Sequence, residues 1–168
     1  MEMLFCADEI AGRIAQLGRE ISDEYTGKPV TLIALMNGAL PFAADLMRAI
    51  DLPIRIDTLS VASYRNCRSS GELDFRSTLK LSPAGRHILI ADEVLDTGVT
   101  LKCVVEYFRN CGAASVRTAV MIEKQLERPD GLAHADWTGF TIPDRYLVGY
   151  GLDADEEYRN LPYIAALN

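Results

Sequence analysis

The spacing of apolar and polar positions changes along the chain, and the changes mark out alternating helices and strands. Ile10, Ile14, Leu17 and Ile21 fall on one face of a helix that Asp8 is placed to cap and that ends near Gly27. Val30 to Leu35 is a short apolar run, the pattern of a strand buried on both faces of a parallel sheet. Met36-Asn37-Gly38 then turns into a helix with Pro41 in its first turn. Ile54 to Val61 alternates as a strand introduced by Pro53, and the polar stretch 62–71 has no apolar period and predicts a loop. Phe75 to Leu81 is expected to return from that loop as a strand.

His87 to Ala91 is the next buried strand, with Asp92 and Glu93 where it is expected to end. Asp96-Thr97-Gly98-Val99-Thr100 makes a small hydroxyl-bearing turn. Leu101, Val104, Val105 and Phe108 then recur at the helical period, with Gly112 placed to stop the helix. Ser115 to Ile122 is a further strand with Glu123-Lys124 at its carboxyl end. Strands alternating with helices predict an α/β fold with a mostly parallel, twisted sheet flanked by helices.

In such a sheet the ligand crevice lies at the carboxyl ends of the strands, and a helix N-terminus offers unpaired N–H groups to an anion. The turn from Asp96 to Thr100 therefore suits a phosphate. Two acids beside it suit sugar hydroxyls or a divalent cation, and together they suggest a phosphorylated sugar. A solvated acidic turn before a capped helix is the plainer alternative.

Length and charge narrow the picture. A chain of 168 residues predicts one domain spanning 1–168. A formal net charge of −7 disfavours a nucleic-acid surface, which needs clustered Lys and Arg. Cys6, Cys67, Cys103 and Cys111 have no paired or metal-ligand spacing, so reduced thiols in a cytoplasmic protein are expected. Met1 to Phe5 lacks a basic region followed by a long apolar core, and no apolar run is long enough to cross a bilayer, so no membrane association is expected.

The stretch ILIADEVLDTGVTL, from Ile88 to Leu101, resembles the phosphoribosyl-pyrophosphate motif of the type I phosphoribosyltransferases, with the family's usual Glu-Asp order inverted to Asp92-Glu93. Gly139 to Asp153 and the tail from Glu157 to Ile164 resemble two further segments of that family, and with them the likeness runs from about Ile10 to Ile164, to the hypoxanthine-guanine branch. The resemblance implies the type I phosphoribosyltransferase fold, with a small hood from the chain ends. It implies Mg²⁺-dependent transfer of 5-phosphoribosyl from phosphoribosyl pyrophosphate to a 6-oxopurine base in purine salvage. A xanthine-preferring enzyme of the same class, and a non-catalytic nucleotide-sensing or RNA-binding regulator of the same fold, are the alternatives.

Carried over residue by residue, the resemblance makes Asp96 the catalytic acid or base at purine N7. Asp92 and Glu93 bind the ribose hydroxyls, and Thr97, Gly98, Val99 and Thr100 bind the 5′-phosphate. Asn37 and Gly38 correspond to a loop that contacts pyrophosphate, in which the peptide before the Gly can be cis; Asn37 stands where a cation is usual. Arg159 corresponds to a pyrophosphate ligand, and Ser63 and Tyr64 to a catalytic loop. Lys124 would donate to the base's exocyclic oxygen, while Tyr146 stacks on the base and Leu147 reads it. Asp153, with Asp92 and Glu93, would serve the Mg²⁺. A homodimer or homotetramer is expected by analogy.

Overall fold

The computed structural model describes residues 1–61 and 76–167. Five parallel strands form the central sheet, in the order β3-β2-β4-β5-β6. They are β2 (Val30–Leu35), β3 (Arg55–Leu59), β4 (His87–Leu95), β5 (Ser115–Lys124) and β6 (Trp137–Ile142). Successive side chains of a strand point to opposite faces, and both faces are covered here. Leu32, Ala34, Leu89, Ala91, Ala119 and Met121 pack with Ile10, Ile14, Leu17 and Ile21 of α1 (Ala7–Tyr25) and with Phe42 and Leu46 of α2 (Leu40–Ala49). On the other face Ile33, Leu35, Ile88, Ile90 and Val120 meet Leu101, Val104, Val105 and Phe108 of α3 (Val99–Asn110). The apolar stripes expected of α1 and α3 are the ones that are buried.

The chain ends make a second, antiparallel sheet, β1-β8-β7, from β1 (Glu2–Phe5), β7 (Leu147–Val148) and β8 (Ile164–Ala166). This is the expected hood. It sits on the body through Tyr150, whose hydroxyl donates to Asp45 Oδ2 of α2 at 2.5 Å.

Four local expectations are corrected. Cys6, not Asp8, precedes α1, and Glu9 Oε2 accepts the Cys6 N–H at 2.8 Å, so an acid one turn in satisfies the orphan donor. β4 does not stop at Ala91: it continues through Asp92 and Glu93 to Leu95, because the ten residues of β5 supply pairing partners as far as Leu95↔Glu123. Residues 76–81 form no strand. Asp57 Oδ2 accepts the N–H groups of Lys80 and Leu81, and Ser77 Oγ accepts that of Ser60, so side chains replace a ladder there. The cis peptide joins Met36 to Asn37, one bond before Asn37-Gly38.

Candidate active site

A cavity of about 450 Å³ opens at the carboxyl ends of the parallel strands. Its floor is the end of β4, with Asp92 and Glu93, and one wall is the turn from Asp96 to Gly98 with Thr100 of α3. Asn37 and Gly38, after β2, form a second wall, and the hood contributes Asp153, Glu156 and Arg159. Ten of the candidate residues thus meet around one space.

The turn takes its shape from Gly98, whose φ of +74° is costly for residues with a side chain. A Cβ there would also lie 2.6 Å from Leu132 O. Gly38 is held as closely. A Cβ on it would fall 2.1 Å from Glu93 Oε1, and one on Gly151 would fall 1.9 Å from Gly38 O. The loop after β2 is thereby sandwiched between the floor acid and the hood.

Asp92 keeps part of its surface in the cavity, but protein atoms crowd its carboxyl. That burial, together with the Glu93 charge beside it, pushes the Asp92 carboxyl well above the usual carboxylate range. Side by side at the end of β4, the two carboxyl groups present hydrogen-bonding oxygens to the cavity, which suits a pair of vicinal hydroxyls. Arg159 is held by Asp153 at 2.9 Å, by Glu156 at 3.0 Å and by Gly151 O at 2.7 Å, which aims its guanidinium at the cavity rim.

Lys124, at the end of β5, is only 12% exposed and lies outside the cavity lining. Its ammonium bridges Asp144 at 2.9 Å and Asp96 at 3.5 Å, which ties it to the acid at the head of the turn. Tyr146 is 58% exposed, so its ring is free to stack on a ligand. Val99 and Leu147 are buried, so what they can offer a ligand is backbone groups. Ser63 and Tyr64 lie outside the described residues.

Sequence reasoning missed Arg76 in the lining, and it missed Arg128, Glu123 and His134 behind the turn. Glu123 is buried at the end of β5 and accepts from His134 Nδ1 at 2.7 Å and Thr138 Oγ1 at 2.8 Å. Burial alone would raise its carboxyl, yet those hydrogen bonds outweigh it and hold the group below its ordinary range. No short motif marks these residues, because Arg128 is held by backbone carbonyls and Glu123 by side chains 11 and 15 residues along the chain.

A parallel sheet with a glycine turn leading into a helix at its carboxyl edge, under a hood made by both chain ends, defines the type I phosphoribosyltransferase fold. The family model for the phosphoribosyl transferase domain matches residues 2–155, and the chain belongs to this family. Hypoxanthine-guanine phosphoribosyltransferase of Bacillus subtilis is 41% identical over 167 residues, 99% of this chain and 92% of that one. Among solved structures, a hypoxanthine phosphoribosyltransferase from Staphylococcus aureus superposes with a TM-score of 0.93 at 34% identity, covering 100% of this chain and 91% of that one. A Trypanosoma cruzi hypoxanthine phosphoribosyltransferase in a ternary substrate complex gives 0.93 at 32% identity, covering 100% and 95%.

Proposed function

We propose that this single-domain chain, 1–168, is a purine-salvage enzyme that transfers 5-phosphoribosyl from phosphoribosyl pyrophosphate to N9 of hypoxanthine or guanine. The new C1–N9 bond replaces the C1–O bond, giving IMP or GMP and releasing pyrophosphate. The observation that carries the reading is the Lys124–Asp96 contact of 3.5 Å, an ammonium of the kind a purine oxygen accepts from, beside the acid that opens the turn.

Departure of pyrophosphate leaves positive charge on the ribose, so catalysis is chiefly a matter of position and field. Thr97, Thr100 and the N–H groups at Gly98 and Val99 hold the 5′-phosphate, and the Asp92–Glu93 pair holds the ribose hydroxyls. Arg159 and the Asn37-Gly38 loop receive the pyrophosphate. Asp96 exchanges a proton with purine N7, Lys124 donates to the exocyclic oxygen, and the exposed Tyr146 ring stacks on the base above the Leu147 backbone.

Mg²⁺ suits this donor set. Among the described residues no three His, Cys, Asp or Glu side chains gather as metal ligands, and Mg²⁺ asks for no such cage, since it keeps waters and takes one or two carboxylates beside substrate phosphates. Asp153, on the cavity rim beside Arg159, supplies a hard oxygen donor, with Asp92 and Glu93 on the floor as the others. Bound there, the ion would neutralise charge on the leaving pyrophosphate.

No helix among the described residues is long and apolar enough to cross a membrane, and action in the cytoplasm is part of the proposal. Assembly as a homodimer or homotetramer completes the proposal. The test is pyrophosphate release with Mg²⁺ and phosphoribosyl pyrophosphate against hypoxanthine, guanine, xanthine, adenine and uracil. Turnover with the first two supports the reading; turnover with xanthine alone assigns another base, and turnover with none removes the enzyme.

A further inference from the structure

Arg128 lies on the segment that follows β5, outside the cavity lining, and its side chain is 2% exposed. A buried guanidinium is costly unless each donor is used, and here all five N–H groups are. Nε donates to Asp96 O at 2.5 Å. Nη2 donates to Leu95 O at 3.0 Å and to Lys124 O, and Nη1 to Ala133 O at 3.0 Å and Leu126 O at 3.3 Å. The Glu123 carboxylate stands 4.0 Å away and balances the charge.

Three of these acceptors are the carbonyls of Leu95, Asp96 and Lys124. One planar fork therefore fixes the backbone that carries Asp96 to the backbone that carries Lys124, beyond the last β4–β5 pair at Leu95↔Glu123. The same segment braces the turn from behind. Leu132 N–H donates to Gly98 O at 2.9 Å, and Gly131 sits so close that a Cβ would fall 2.0 Å from Thr97 O.

We infer that Arg128 is a positioning residue that holds the proton-exchanging Asp96 and the base-reading Lys124 in one rigid frame; this rests on the transferase reading above. Lysine cannot replace it. An ammonium has three donors without the planar fork, so at least two of the five carbonyls would lose the guanidinium N–H they accept.

The test is Arg128→Lys in the full chain, with Arg128→Gln as a second variant. Amide exchange is followed at Leu132 and at Leu89 and Ile90 in the sheet core, and transfer is followed as pyrophosphate release with hypoxanthine. Exchange at Leu132 should rise at least about tenfold while Leu89 and Ile90 stay within about twofold. In parallel, kcat should fall by roughly 100-fold, the size of effect that a misplacement of about 1 Å produces, with KM for phosphoribosyl pyrophosphate within about threefold. Unchanged kcat with unchanged exchange at Leu132 in both variants overturns the assignment. An equal rise at Leu89 and Ile90 also overturns it, because that marks a general loss of stability. If the unmodified protein releases no pyrophosphate with any base, the transferase reading fails, and exchange at Leu132 still decides whether Arg128 holds the turn.

Discussion

Asp96 is half exposed beside a far better buried lysine, an arrangement that leaves its carboxylate free to meet a ligand. Asp96→Ala should lower kcat by about 10²–10⁴-fold, the usual contribution of a positioned acid or base, while KM for phosphoribosyl pyrophosphate changes little. Steady-state kinetics of the variant checks both numbers. Glu123 answers to pH instead. Its carboxyl lies below the ordinary value in the folded protein, so the stability it contributes is present above about pH 4.5 and is lost as pH falls through the folded value. Glu123→Gln should therefore melt below the parent at pH 7, and the gap should close as the pH is taken below 4.5; thermal melts from about pH 7 to pH 3 measure it. Neither group's setting could be read from the chain. The identity and order of Asp92, Glu93 and Asp96 were plain, but burial of the Asp92 carboxyl depends on how the folded chain packs around the end of β4.

The strand β2 was legible to the residue, because a run buried on both faces carries its limits in its composition. The end of β4 was not, since Asp92 and Glu93 look like a terminus until β5 is known to run alongside them. The brace from Leu126 to Ala135 left no periodic trace: it works through carbonyls, through Arg128 and through the absence of a side chain at Gly131. Gly131→Ala would set a methyl against Thr97 O, backbone that can move only with the turn. It should cost about 1–3 kcal/mol, typical of overpacking, and should raise KM for phosphoribosyl pyrophosphate. Gly12→Ala is the counterpart: an exposed helical glycine of α1 with nothing within 4 Å of the added Cβ. That substitution should stabilise by about 1 kcal/mol without altering kinetics, and thermal melts of the two variants side by side separate packing from propensity.

Charge belongs to the molecule as a whole, and here it opposes the proposed substrate. The net charge is −7, and among the described residues the cavity is lined by five carboxyl groups, Asp92, Glu93, Asp96, Asp153 and Glu156, against the guanidinium groups of Arg76 and Arg159. Among these described residues the acids are in excess, and Asn37 adds no cation to the loop that faces them. On the proposed reading, a polyanion approaching this face is repelled at long range and held only at contact, by hydrogen bonds, the helix terminus and the proposed Mg²⁺. Added monovalent salt screens the long-range part much more than the contacts. At a fixed excess of Mg²⁺, kcat/KM for phosphoribosyl pyrophosphate should therefore rise, by about two- to fivefold between roughly 20 and 200 mM KCl, whereas a cleft of positive field would show a fall. Asn37→Lys should lower KM at low salt and flatten that dependence. A falling salt profile in the unmodified protein would mean that Arg76 and Arg159 govern the approach and that the acids act only once the substrate has arrived.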